Sequence, residues 1–75
     1  MKTVFTNGCF DLLHIGHIKF LEQASLLGDW LCVGLNSDNS IRKLKGFNRP
    51  INPYHVRRKL LESLRFVDQV YYFDD

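Results

Sequence analysis

No apolar run in this chain approaches the roughly 20 residues that a membrane-spanning helix needs. Met1 and Lys2 lead directly into a strand-like run. The N-terminus therefore lacks the apolar core and small-residue cleavage site of a secretory signal, and a cytoplasmic location is the expectation, with no membrane partner. Cysteine is scarce. Cys9 and Cys32 alone make neither a disulfide framework nor a zinc site. Cys32 sits in an apolar run and reads as a small core residue. Cys9 falls in a loop beside the candidate site, where a redox or catalytic role is the lesser reading. There is no internal repeat, low-complexity segment or linker. At 75 residues the chain is marginal for a core of its own. Acidic residues are missing from the whole stretch between Arg42 and Lys59, which holds Arg42, Lys43, Lys45, Arg49, Arg57, Arg58 and Lys59. Such a stretch fits an anionic partner or a solvated basic surface. With a net charge of only +2 and no nucleic-acid-binding motif, a small phosphorylated ligand is favoured over nucleic acid.

What is present is an alternating pattern. Thr3–Thr6 is β-prone, and Asn7-Gly8 is expected to break it. From His14 to Leu27 the pattern turns helical. Ile15, Ile18, Leu21 and Ala24 form an apolar face, Phe20 and Leu27 flank it, and Gly28 serves as a stop. Trp30–Leu35 is nearly continuously apolar, as a parallel strand buried on both faces would be. Asn36-Ser37-Asp38 is a helix-start or turn cluster, and a basic, glycine-containing loop is expected through Arg49. Asn52-Pro53 fits an N-cap followed by proline at the first helical position. A helix to about Leu64 follows, with Val56, Leu60, Leu61 and Leu64 inward, and Gln69–Phe73 is a third strand. The order strand, helix, strand, loop, helix, strand implies α/β architecture: a Rossmann-like parallel sheet with right-handed crossovers. The strands should lie in the order 3-2-1, with the first at an edge.

The chemistry concentrates between the first strand and the first helix, in Gly8-Cys9-Phe10-Asp11-Leu12-Leu13-His14-Ile15-Gly16-His17. In an open parallel sheet, ligands bind beyond the carboxyl ends of the strands. The N-terminus of the following helix offers free N–H groups and partial positive charge to a phosphate. Gly8 permits a sharp turn, and Gly16 removes a side chain that would crowd a ligand. His14 and His17, three residues apart, share a helix face. Two imidazoles there can donate hydrogen bonds to phosphoryl oxygens, and phosphoryl transfer depends chiefly on such positioning and charge stabilisation. From spacing alone, helix capping and metal ligation also fit, although a pair of histidines without a third convergent ligand is a weak zinc signal.

This segment resembles the HxGH signature of the cytidylyltransferase-like nucleotidyltransferases, distant relatives of the class I aminoacyl-tRNA synthetases. The longer pattern is more specific: TNGCFDLLHIGH, LGDWLCVGLNSDNSIRKLKG, RPINP and an arginine in the next helix. It resembles the adenylyltransferase domains that make ADP-heptose for lipopolysaccharide. Glycerol-3-phosphate cytidylyltransferases are similar in the first block and around Arg57 but do not usually carry RPINP. The resemblance implies that His14 and His17 contact the nucleotide phosphates and stabilise the transition state. It implies that Gly8, Cys9 and Phe10 line the α-phosphate site, with Gly16 at the helix start. Lys43 and Lys45 match mobile-loop lysines that close over the phosphates and share in catalysis. Arg57 matches a helix arginine near the same site. Asp11 would orient the loop or meet the second substrate, and Arg49 would bind the sugar phosphate or fix its loop. Arg58 and Lys59 read as surface charges.

The expected reaction is transfer of a nucleoside monophosphate from ATP to a sugar phosphate, heptose 1-phosphate by preference, releasing pyrophosphate. Magnesium accompanies the triphosphate, and no metal ligand is assigned to the chain. Transfer from CTP to glycerol 3-phosphate, a polyol phosphate, is the runner-up, and a non-catalytic nucleotide-binding module is the rival of another class. The family's late Ser/Thr-rich turn and two further strands have no match here. Residues 1–75 are therefore expected to be the N-terminal, three-stranded portion of a single nucleotidyltransferase domain, completed by a C-terminal half or stabilised as a homodimer.

Overall fold

The computed structural model describes residues 1–74. Strand β1 spans Thr3–Gly8, helix α1 Ile15–Ser25, β2 Trp30–Asn36, α2 Asp38–Lys45, α3 Tyr54–Glu62 and β3 Gln69–Phe73. All three strands run parallel, and β2 lies between β1 and β3. This is the expected order, with β1 at one edge. Two right-handed crossovers stepping in one direction place α1 and α3 on the same face of the sheet. The core shows this directly: Leu21 and Ala24 of α1 and Leu61 of α3 pack with Leu31, Val33 and Leu35 of β2 and Val70 of β3. The register explains the choice of residues. Val4 pairs with Leu31, Thr6 with Val33, and Val33 with Val70, so the same alternate positions face the helices on every strand. Burying each of the large aliphatic side chains stabilises the fold by roughly 1.5–3 kcal/mol. Neither α1 nor α3 covers the opposite face, where Phe5 meets Tyr71 edge-on with ring centroids 6.3 Å apart. No helix among the described residues is long and apolar enough to cross a membrane.

Several boundaries differ from the sequence reading. Asn7-Gly8 does not break β1, because both residues still pair with Gly34 and Leu35 of the central strand. Helix α1 is shorter than His14–Leu27. Ile15, in its first turn at the crevice end of the sheet, is 66% exposed rather than inward. Gly28 instead lets the chain pass close to β1, since a Cβ there would lie 2.7 Å from the Lys2 carbonyl oxygen. The basic segment after β2 is helical. Ser37 Oγ accepts the Ser40 N–H at 3.0 Å, Asp38 sits in the first turn, Arg42, Lys43 and Lys45 sit in the last, and Gly46 closes the helix at φ +107°. Those are the residue types that complement the helix dipole. Asn52 is not the N-cap of α3. Pro53 takes that position, without a side-chain cap bond. Leu60, expected inward, is exposed, and Arg57 occupies the buried stripe with Leu61.

Candidate phosphate-binding site

The turn after β1 lies at the carboxyl edge of the sheet and is built around Phe10. Its ring is buried in the core and its backbone has φ +46°, a left-handed conformation that costs a side-chain-bearing residue about 1–2 kcal/mol. Burial of the ring offsets that cost. Gly8 makes the room: a Cβ there would lie 2.5 Å from the Phe10 ring. On its other side the Phe10 ring meets the His17 imidazole edge-on, centroids 5.3 Å apart, which fixes the imidazole's plane.

His14 and His17 form a reciprocal cap at the start of α1. The Gly16 N–H donates to His14 Nδ1 at 3.0 Å, and the His14 N–H donates to His17 Nδ1 at 3.3 Å. The two rings stack, 3.9 Å between centroids. This geometry determines the tautomers. In a neutral imidazole whose Nδ1 accepts, the proton sits on Nε2, so each ring keeps one N–H to donate outward. Burial, the neighbouring His14 and the Lys45 charge all hold the His17 pKa below the ordinary imidazole value, which keeps it neutral. Helix capping and anion donation, read from spacing as alternatives, are therefore compatible: Nδ1 serves the first and Nε2 is left for the second. Gly16 serves the cap as well, because a Cβ there would come within 2.8 Å of the His14 ring.

Asp11 and Arg57 are both buried, and between them they grip the segment 49–52. The Asp11 carboxylate accepts the Ile51 N–H at 2.9 Å, the Asn52 N–H at 2.8 Å and Arg49 Nη1 at 3.3 Å. The Asn52 side chain donates to the Asp11 carbonyl at 2.8 Å. Burial pushes the Asp11 carboxyl up, but the two backbone N–H groups and Arg49 outweigh it and hold the pKa below the ordinary value. Asp11 thus holds the loop in place, the first of the two roles expected of it. Arg49, bound by a single long contact and partly exposed, retains most of its donors.

Arg57, expected beside the phosphates, has no exposed surface. Its Nε donates to the Asn52 carbonyl at 2.9 Å. Its Nη1 donates to the carbonyls of Cys9 at 2.9 Å and Asn36 at 2.8 Å, and its Nη2 pairs with Asp38 at 2.6 Å. Four donors are committed to the protein itself. A buried cation persists only when it is paired and hydrogen-bonded in this way. In this structure Arg57, which the resemblance places near the phosphates, is bound as an internal clamp.

The lysines sit on α2 rather than in a loop. Lys45 approaches His17 closely enough to act on its titration. Lys43 lines a different hollow with Asn39, Arg42 and Asp74. Cys9, half-buried, points its thiol at Asn36 Oδ1, 3.8 Å away, and contributes its carbonyl to Arg57. The structure thus gathers Gly8, Cys9, Phe10, Asp11, His14, Gly16, His17, Lys45 and Arg49 around one end of the sheet, and leaves Lys43 aside. Sequence reasoning missed Asn36, Asp38 and Asn52, the partners that hold these loops. Asn36 and Asp38 flank the Ser37 cap, and that cluster after an apolar strand, read only as a helix start or turn, is the signal that could have found them. No three His, Cys, Asp or Glu side chains converge as metal ligands among the described residues.

A parallel α/β sheet whose first turn presents paired imidazole donors and a helix N-terminus defines a nucleotide-phosphate-binding domain of the Rossmann-like class. Residues 5–75 match the family model described as cytidylyltransferase-like, and the chain belongs to that family of nucleotidyltransferases. It is 57% identical over 74 residues to the bifunctional protein HldE of Nitratiruptor sp., and 58% identical over 74 residues to HldE of Campylobacter jejuni subsp. doylei. Each alignment covers 99% of this chain and 16% of the relative, so the chain spans about one sixth of their length. A lipopolysaccharide core biosynthesis protein from Thermoplasma volcanium has the same fold, with a TM-score of 0.85 and 33% identity. That match covers 95% of this chain and 57% of the other.

Proposed function

We propose that this chain supplies the phosphate-handling part of an enzyme that transfers a nucleoside monophosphate from ATP to a sugar phosphate, with heptose 1-phosphate the preferred acceptor. A phosphate oxygen of the acceptor attacks the α-phosphorus in line, the bond to the β-phosphate oxygen breaks, and pyrophosphate leaves. The observation that carries the reading is the reciprocal imidazole cap, which leaves an Nε2–H on each of His14 and His17 at the positive end of α1. Such donors act on charge that develops in the transition state and need no nucleophilic side chain. Lys45 adds positive charge beside them, and Arg49, with donors to spare, is the acceptor-phosphate contact. Cys9 and Phe10 offer backbone to the α-phosphate. Magnesium would be carried by the triphosphate oxygens, where it neutralises charge, and no residue of this chain is assigned to it. The sugar acceptor is supported by the RPINP segment and by a relative whose name places it in lipopolysaccharide core biosynthesis. The reaction belongs in the cytoplasm, where the triphosphate is.

Pyrophosphate release by the full-length protein, measured with ATP or CTP against heptose 1-phosphate or glycerol 3-phosphate, tests this. Turnover with ATP and heptose 1-phosphate is expected. Turnover confined to CTP and glycerol 3-phosphate would move the assignment to the polyol branch. Nucleotide binding without release from any pair would reduce the domain to a binding module.

A further inference from the structure

Among the described residues the largest fully buried side chain belongs to an arginine. The groups that Arg57 binds are widely separated in sequence. The Cys9 carbonyl belongs to the turn after β1, the Asn36 carbonyl to the end of β2, the Asn52 carbonyl to the segment before α3, and the Asp38 carboxylate to the first turn of α2. These four segments frame the crevice at the carboxyl edge of the sheet, and one planar guanidinium holds all of them. A lysine could not do so, because it offers a compact charge and three donors where this site uses a rigid fork. The segment 49–52 is gripped from both sides, by Asp11 through the Ile51 and Asn52 N–H groups and by Arg57 through the Asn52 carbonyl.

We propose that Arg57 is a positioning residue for the acceptor half of the reaction. It fixes segment 49–52, and with it Arg49, relative to the Cys9–Asp11 turn that faces the α-phosphate. The inference rests on the nucleotidyltransferase reading and adds the coupling between the two substrate loops. Attack on phosphorus requires the acceptor and the α-phosphate to be aligned within a fraction of an ångström, so a loosened loop costs turnover before it costs nucleotide affinity.

A double-mutant cycle in the full-length protein, with Arg57→Lys and Arg49→Ala, tests the coupling. Each single variant is expected to lower kcat/KM for the acceptor by about tenfold or more, with the nucleotide Kd within about threefold of wild type. The double variant should fall no more than about threefold below the worse single, because both act through one loop. Losses that multiply, or a nucleotide Kd raised about tenfold in Arg57→Lys with the acceptor KM unchanged, would overturn the proposal in favour of a direct phosphate contact. If Arg57→Lys does not fold, Asp38→Asn keeps an acceptor for the guanidinium, removes its counter-charge and is expected to give the same kinetic split. Hydrogen exchange separates this idea from the reading beneath it, since it needs no turnover. Amides of 9–11 and 51–52 should exchange at least about tenfold faster in the variant while those of 31–35 stay protected. Equal acceleration throughout the sheet would make Arg57 a general stabiliser and contradict the proposal.

Discussion

Removing the Asp11 carboxylate separates its loop-holding role from any role toward substrate. In Asp11→Ala the Asn52 side chain keeps its bond to the residue 11 carbonyl, because that bond uses main chain. What disappears is the acceptor for two backbone N–H groups, at 2.8 and 2.9 Å, and the 3.3 Å contact to Arg49. Hydrogen bonds to an ionised group contribute about 1.5–3 kcal/mol each. The partly exposed Arg49 pair contributes about 0–1 kcal/mol. Segment 49–52 lies near the surface and can turn its freed N–H groups toward water, so the lower end applies, about 3 kcal/mol. That lowers Tm by about 12 °C or more in a domain of about 60–100 residues and by about 6–12 °C in one of about 150–250. Calorimetric melting of the domain's transition in the full-length protein is the assay. The sign with pH follows from the lowered carboxyl. Its contribution is complete above the ordinary carboxylate range and is lost as pH falls through the lowered folded-state value, so the two proteins should converge in acid. A loss below about 0.5 kcal/mol at neutral pH, the range of ordinary surface changes, would refute the clamp.

Gly16→Ala sets two effects against each other: the helix-propensity gain is about 1 kcal/mol and the lost His14 cap costs about the same. Melting should barely change while turnover falls about tenfold or more, because the displaced ring no longer presents its donor; unchanged turnover would count against the cap geometry. Lys45→Ala removes one of the charges that depress His17, so the His17 midpoint in an NMR titration should rise, and triphosphate affinity should weaken roughly fivefold. An unmoved midpoint would separate Lys45 from the site.

The fold was legible because its strongest signals are long-period ones. WLCVGL reads as a strand buried on both faces, and every residue of it after Trp30 is buried, while Leu21 and Ala24 lie one turn apart on the face that α1 buries. Helix α2 was hidden by composition. DNSIRKLK carries only two apolar residues, Ile41 and Leu44, too few to mark a helix by periodicity, although Ser37, Asp38 and Gly46 carried every start and stop mark of one. The two histidines were visible, but their shared cap was not, since it depends on Nδ1 contacts that spacing cannot show. Arg57 was the hardest to place. In the run Arg57-Arg58-Lys59 nothing local distinguishes a fully buried guanidinium from two solvated charges. Only the i, i+4 relation to Leu61 separates it, and that relation ordinarily marks an aliphatic position.

The donor role of the imidazole pair stands or falls on the kinetics of His17→Ala in the full-length protein, followed by pyrophosphate release under saturating acceptor. A lost transition-state donor should lower kcat by about a hundredfold or more while the nucleotide KM stays within about threefold. An unchanged kcat, or a loss carried wholly by KM, would show that His17 caps the helix and binds ground-state phosphate without acting on the reaction.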